Sequence, residues 1–247
     1  PFDHIYADVP TPHREALATF RANPPPHTIT VDETEWTYLL GGAGDEAVLL
    51  LVGGLKVADA AYRSMPMLED DFRVVTPSYP AVPTITGLAD GLAGVLDALG
   101  LEKVHVLAGS FGGMLAQVFV RRHPARVARL ILSTTAVLDA ETADRYRTLL
   151  SMVEPTDADT VLSMAKEQML ATIAPPEDMT AFYRAYLDEL YTERLGKHDI
   201  ITTYQALLAY ADNVSLGADD LKEWDGEVLI LESDDDETFD YLLEQNL

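Results

Sequence analysis

The sequence predicts an α/β fold, a mostly parallel central sheet flanked by helices and interrupted by a helical insertion. Two interleaved patterns carry this expectation: continuous aliphatic runs of strand length, and amphipathic helical segments lying between them. A third observation is a long strand-free stretch before the last aliphatic run.

The elements follow in chain order. Thr28–Val31 and Trp36–Leu40 have mixed polarity and read as an antiparallel edge pair. Glu46–Val52 (EAVLLLV) is the first continuous aliphatic run and closes on Gly53-Gly54, as expected of a strand buried on both faces. Phe72–Thr76 (FRVVT), Val104–Ala108 (VHVLA), Val127–Leu132 (VARLIL) and Val228–Leu231 (VLIL) repeat that pattern. Lys56–Leu68 is expected to fill the first gap with helix. Thr86 is expected to cap a second helix, whose Leu88, Leu92, Val95, Leu96 and Leu99 share one face and which ends at Gly100. Gly112–Arg122 reads as a third helix, stopping at His123-Pro124. Between Val137 and Glu223 the patterns Asp159–Thr172, Glu177–Leu195 and Asp199–Ala211 are helical, with Pro175-Pro176 and Asn213–Gly217 between segments. The expected organisation is a core of residues 1–136 and 225–247 with a helical cap, 137–224, inserted in it.

Composition excludes several classes. Hydrophobic residues make up 48% of the 247, enough for a sizeable core. The longest apolar run, Ala47–Val52, is far short of the roughly 20 residues that span a bilayer. The chain has no cysteine, which removes disulfides and thiolate chemistry and suits a reducing cytoplasm. Its net charge of −24 repels nucleic acid and anionic membrane surfaces, and reads as a solvated acidic exterior. A protein partner has no support in the sequence. Pro1 stands where an initiator methionine would, so a trimmed amino terminus is expected.

The strongest chemical signal is Ala108-Gly109-Ser110-Phe111-Gly112-Gly113, between a buried strand and a helix. A serine on so sharp a turn needs very small neighbours, and the pattern approaches G-x-S-x-G, with Ala108 in place of the first glycine. Such a turn projects Ser110 clear of the sheet and aims the Phe111 N–H at a developing oxyanion. Val52-Gly53-Gly54-Leu55 is the second signal, with Gly54 as the candidate for the other oxyanion donor and Leu55 as the next choice. A Gly-Gly turn after a strand is unspecific until paired with Ser110.

With RVVTPSYP (Arg73–Pro80) and RHPARVARLIL (Arg122–Leu132), these motifs make the chain resemble the α/β-hydrolase superfamily over nearly its whole length. VHVLAGSFGG, and Ser78 where aspartate is usual, are similar to the maspardin-like branch. The resemblance implies an acid after the strand that follows the cap. In Leu231–Glu237 (LESDDDE) that acid falls on Asp236, with Asp235 as the alternative, and a solvated acidic loop is the other reading. It also implies the chain order Ser, Asp, His. All six histidines precede Asp236. His105 reads as core, His123 as a helix-end cap, and His198 as a cap residue that would have to lean over Ser110. A final strand, a histidine loop and a closing helix need about 30 residues more. The fold's C-terminal strand and helix, and the histidine with them, are therefore expected beyond Leu247.

The function so implied is a serine hydrolase acting on a small ester, thioester or related acyl compound. The alternatives are an acyltransferase on the same serine and a non-catalytic protein of the same fold. Met152, Met164, Met169 and Met179, with Phe182, Tyr183 and Tyr186, suggest an apolar pocket in the cap, or ordinary helix packing. No metal or dinucleotide cofactor is implied, since histidine-rich ligand spacing and G-x-G-x-x-G are both missing.

Overall fold

A computed structural model of the chain describes residues 2–23, 25–135, 137–214 and 216–231. Its strands are β1 (His27–Val31), β2 (Thr34–Gly41), β3 (Ala47–Leu51), β4 (Arg73–Pro77), β5 (Val104–Gly109), β6 (Val127–Ser133) and β7 (Glu227–Leu231). They form one sheet in the order β1-β2-β4-β3-β5-β6-β7. Pairing is parallel from β4 through β7, while β2 runs antiparallel to both β1 and β4. The aliphatic run of β3 is explained by its place: every residue is buried, and Leu49 stands opposite Val75 on one side and Val106 on the other.

Helices α1 (Phe2–Ile5) and α2 (Thr11–Ala22) precede the sheet, and α3 (Met65–Leu68) follows β3. Helices α4 (Ile85–Ala98) and α5 (Phe111–Arg122) flank β5 in sequence. Between β6 and β7 lie α6 (Ala140–Val153), α7 (Ala158–Ile173), α8 (Glu177–Glu189) and α9 (Lys197–Asn213). Helix α8 runs into a π-helical turn, Leu190–Arg194. No helix among the described residues is long and apolar enough to cross a membrane.

Three local expectations are corrected. The cap of α4 is Thr84, not Thr86: Thr84 is extended and its Oγ1 accepts from Gly87 N–H at 3.1 Å, while buried Ile85 already belongs to the helix. Lys56–Leu68 is not a continuous helix. Lys56 has φ +65°, a single 3₁₀ turn covers Ala58–Ala61, and Pro66, which has no N–H to give, sits in the first turn of the four-residue α3. Helices α1 and α2 have no counterpart in the sequence reading, and α6 is a further helix within the expected helical cap. Two of them carry few fully buried positions, Leu17 and Phe20 in α2 and Ala143 and Val153 in α6, so their apolar stripes are thin.

A partly buried ionic cluster around Asp59 joins the amino-terminal helices, the loop after β3 and the end of α8. Asp59 accepts from Arg21 Nε at 2.7 Å, Arg194 Nη1 at 2.8 and 2.9 Å, and the Tyr186 hydroxyl at 2.8 Å. Glu189 accepts from Arg21 at 2.9 Å and from the Tyr6 hydroxyl at 2.5 Å. Burial by itself would raise the Asp59 pKa. The Arg194 and Arg21 charges and the Tyr186 hydrogen bond outweigh it and hold the carboxyl below its usual range.

A carboxyl whose folded pKa lies below the unfolded value of about 3.9 adds stability above that pH, and loses it as pH falls through the folded pKa. Asp59→Asn leaves Arg194 without its carboxylate and Arg21 with Glu189 alone, and is expected to cost about 1–3 kcal/mol at pH 7. In thermal melts across pH, the gap from wild type should be widest near neutrality and narrow as pH falls through the lowered pKa of Asp59. A gap that stays constant with pH would show that the charge is not its source.

Candidate active site

Ser110 stands between β5 and α5 with φ +50° and ψ −125°. A side chain at positive φ costs about 1–3 kcal/mol of backbone strain, so the surroundings must hold it there. They do so from β6 and from the helix. Ser110 N–H donates to the carbonyls of Thr134 at 3.0 Å and Ser133 at 3.3 Å. The Ser110 carbonyl accepts from Gly113 N–H at 2.9 Å, Met114 N–H at 3.2 Å and the Thr135 hydroxyl at 2.7 Å. The small neighbours have a steric reason. A Cβ at Gly112 would lie 2.5 Å from the Val52 carbonyl oxygen, and one at Gly113 would lie 2.5 Å from the Thr135 side chain. Ala108, by contrast, is buried with its methyl accommodated.

The Val52–Lys56 turn lies beside this serine. A Cβ on Gly53 would sit 3.3 Å from Ser110 Cβ and 3.7 Å from its Oγ. Tyr79 clamps both ends of the turn. Its hydroxyl donates to the Val52 carbonyl at 2.6 Å, and its N–H donates to the Lys56 carbonyl at 2.8 Å. Burial pushes the Tyr79 phenol well above its usual pKa, so it stays a donor. Ser78, where aspartate is usual, accepts from Ala58 N–H at 2.9 Å and so anchors the segment that follows.

Gly54, Ser110 and Phe111 line one cavity of about 640 Å³, within the size range of small-molecule sites. Its far wall comes from α6, α7, the π turn and α9, with Tyr146, Met169, Tyr191 and Tyr204 among the contributors. Gly54 faces the helices directly, since a Cβ there would meet Met169 Cε at 3.2 Å.

Of the methionines and aromatics expected in the pocket, only Met169 lines it. Met152 and Met164 are exposed, while Met179, Phe182 and Tyr186 are buried among helices. Phe182 packs between Tyr62, Tyr6 and Tyr186, and Tyr186 is bound to Asp59. Helical periodicity marks an inward face but not which inward surface it meets.

The histidines lie apart from the cavity. His105 is buried in β5, its Nε2 3.3 Å from Glu46. His123 closes α5 with Nε2 2.9 Å from Asp90. His198 is exposed, while the same helix turns Ile200, Thr203, Tyr204 and Leu207 into the cavity. Asp235 and Asp236 fall outside the described residues. Among the described residues no group of three or more His, Cys, Asp or Glu is arranged to hold a metal.

Lys56 is a cavity residue that motif reading passed over. It is buried, at 4% exposure, and burial lowers its pKa, an effect the Asp199 charge partly offsets. Its position two residues beyond Gly54 was the available signal.

A family model described as alpha/beta hydrolase fold matches residues 46–241. Among curated proteins, 2-hydroxy-6-oxo-2,4-heptadienoate hydrolase of Pseudomonas putida is 36% identical over 115 residues, covering 42% of this chain and 42% of that protein. Homoserine O-acetyltransferase of Thermus thermophilus is 35% identical over 118 residues, covering 46% of this chain and 31% of its own length. These alignments thus span less than half of either relative. Among solved structures, a hydrolase from Pseudomonas aeruginosa superposes with a TM-score of 0.68 at 20% identity, covering 84% of this chain and 80% of that one. A thermophilic esterase from Thermogutta terrifontis gives a TM-score of 0.63 at 22% identity, covering 84% and 79%. At that identity the two structures show a shared fold.

Two substitutions test the geometry. Gly112→Ala forces backbone away from the Val52 and Leu51 carbonyls and is expected to cost about 1–3 kcal/mol in denaturant melts. Tyr79→Phe removes the hydroxyl on the buried Val52 carbonyl, with an expected cost of about 1–3 kcal/mol. A wild-type melting curve for either variant would show that the turn does not depend on that contact.

Proposed function

Since the chain belongs to the α/β-hydrolase family, we propose that it is a serine hydrolase acting on a small ester, thioester or related acyl substrate. The observation that carries this reading is the single cavity that has Ser110, Gly54 and Phe111 in its wall. In the proposed reaction Ser110 Oγ attacks the acyl carbonyl and gives up its proton to a histidine base. The N–H groups of Gly54 and Phe111 hold the oxyanion. Collapse of the tetrahedral intermediate expels the alcohol or thiol, which takes the proton, and leaves an acyl ester on Ser110. Water, deprotonated by the same base, then releases the acid. In the family's order Ser, Asp, His, Asp236, or else Asp235, would orient that base.

The strained turn supports a nucleophile at Ser110, because such φ values persist only where the surroundings enforce them. The likeness to an O-acetyltransferase favours a second reading, in which an alcohol in place of water takes the acyl group from the same serine. Both readings share the first half-reaction, so one test addresses them together.

A fluorophosphonate probe should label the full-length protein at Ser110. Ser110→Ala should abolish labelling and lower p-nitrophenyl ester cleavage at least about 10³-fold. If the folded wild-type protein is neither labelled nor active on any such ester, the catalytic reading fails and a ligand-binding member of the fold is left. Adding alcohols of increasing size and measuring ester against acid product separates transfer from hydrolysis.

A further inference from the structure

Among the described residues, the cavity wall has the opposite charge to the chain as a whole. Acidic residues outnumber Lys and Arg by 41 to 17 in the chain, so a wall drawn at random would carry carboxylates more than twice as often as cations. Among the described lining residues the charged ones are Lys56 and Arg145, and no Asp or Glu is present.

Lys56 has a specific geometry. Its backbone lies in the left-handed region at φ +65°, a conformation that favours glycine, and it is held there by Gly53 and Tyr79. Its ammonium is buried, with a side chain only 5% exposed. The partners among the described residues are distant: the Asp199 carbonyl at 3.4 Å and Asp199 Oδ1 at 3.9 Å. A charge-assisted hydrogen bond is usually about 2.7–2.9 Å. Asp199 is also engaged elsewhere. Its Oδ2 accepts from Gly196 N–H at 2.9 Å, and its carbonyl accepts from the Thr203 hydroxyl at 2.7 Å. A buried ammonium without a close partner is costly unless something else satisfies it, and the cavity is the surface it lines.

We propose that Lys56 is a specificity residue that seats a carboxylate of the substrate, so that the cavity takes acyl compounds carrying a free acid group away from the scissile carbonyl. Arg145, exposed on α6, supplies a second positive charge to the same wall. Local cations are needed because the field of a −24 protein repels an anion until it comes within about a Debye length, roughly 8 Å, of them. This inference rests on the hydrolase reading only for what is done to the bound compound. The anion seat itself follows from Lys56.

The test pairs two esters of equal chain length, the mono-p-nitrophenyl ester of glutaric acid and p-nitrophenyl pentanoate, on the full-length protein. Wild type should prefer the acid ester in kcat/KM. Lys56→Met should reduce that preference about 10- to 100-fold, mainly through KM, as loss of one hydrogen bond to a charged group does. Lys56→Arg, which keeps the charge, should restore part of it. Equal slowing on both esters would overturn the proposal, since that marks a residue that only ties the Val52–Lys56 turn to α9. So would a wild type with no preference, a result that needs no variant to fold. Calorimetric titration with glutarate reads the seat without chemistry: wild type and Ser110→Ala should bind, and Lys56→Met should not. Glutarate bound through Lys56 with neither ester cleaved sinks the hydrolase reading and leaves the anion seat. Cleavage without preference and without glutarate binding does the reverse.

Discussion

Ser110 occupies a backbone conformation that side chains rarely adopt, and three neighbouring elements are shaped to keep it there. The end of β6 receives its N–H, the first turn of α5 and Thr135 bind its carbonyl, and the end of β3 lies close enough to exclude a side chain from Gly112. Parallel strands bring these pieces together, because β3, β5 and β6 all end at the same side of the sheet. That convergence also places the Val52–Lys56 turn beside the serine. Tyr79, entering from the end of β4, then fixes the turn through one hydroxyl and one amide.

Charge is distributed with a similar economy. The protein is strongly acidic overall, and two of its cation sites lie at junctions between elements. Arg21 and Arg194 converge on Asp59 and join the amino-terminal helices, the β3 loop and the π turn, a geometry in which burial is offset by close partners. Lys56 is buried three residues away with only long contacts to Asp199. The two sites differ in kind: the first is held by ion pairs of 2.7–2.9 Å, with Arg21 Nη2 left over, whereas the second has only the long Asp199 contacts among the described residues. The π turn joins them, offering Tyr191 to the cavity and Arg194 to the Asp59 cluster.

Local patterns were legible where one interaction dominates. The run AVLLL reads as a doubly buried strand because both faces of β3 are covered, and AGSFGG reads as a strained turn because only small residues fit at Gly112 and Gly113. Thr84 and Thr86 are both competent caps by composition, and the burial of Ile85 selects Thr84. Phe182 and Tyr186 are apolar at helical spacing, but their partners are Tyr6, Tyr62 and Asp59, each far away in sequence. Lys56 carries no motif. Its interest arises from burial and from the sign of its surroundings, neither of which a lone lysine discloses.

The sequence by itself determined the α/β layering, the family, the strand order of appearance and the serine turn, because each depends on contacts within a few residues or on a repeating period. Only the tertiary structure decided which surfaces close over that turn. It put Tyr146, Tyr191 and Tyr204 in the cavity, turned Met152 and Met164 outward, and made Lys56 and Arg145 the charged residues of the described wall. Helices packed across a sheet meet through side chains distant in the chain, and the hydrophobic periods that form each helix are indifferent to which partner they find. Ser110 was therefore readable from its neighbours in sequence. What faces it is set by neighbours in space.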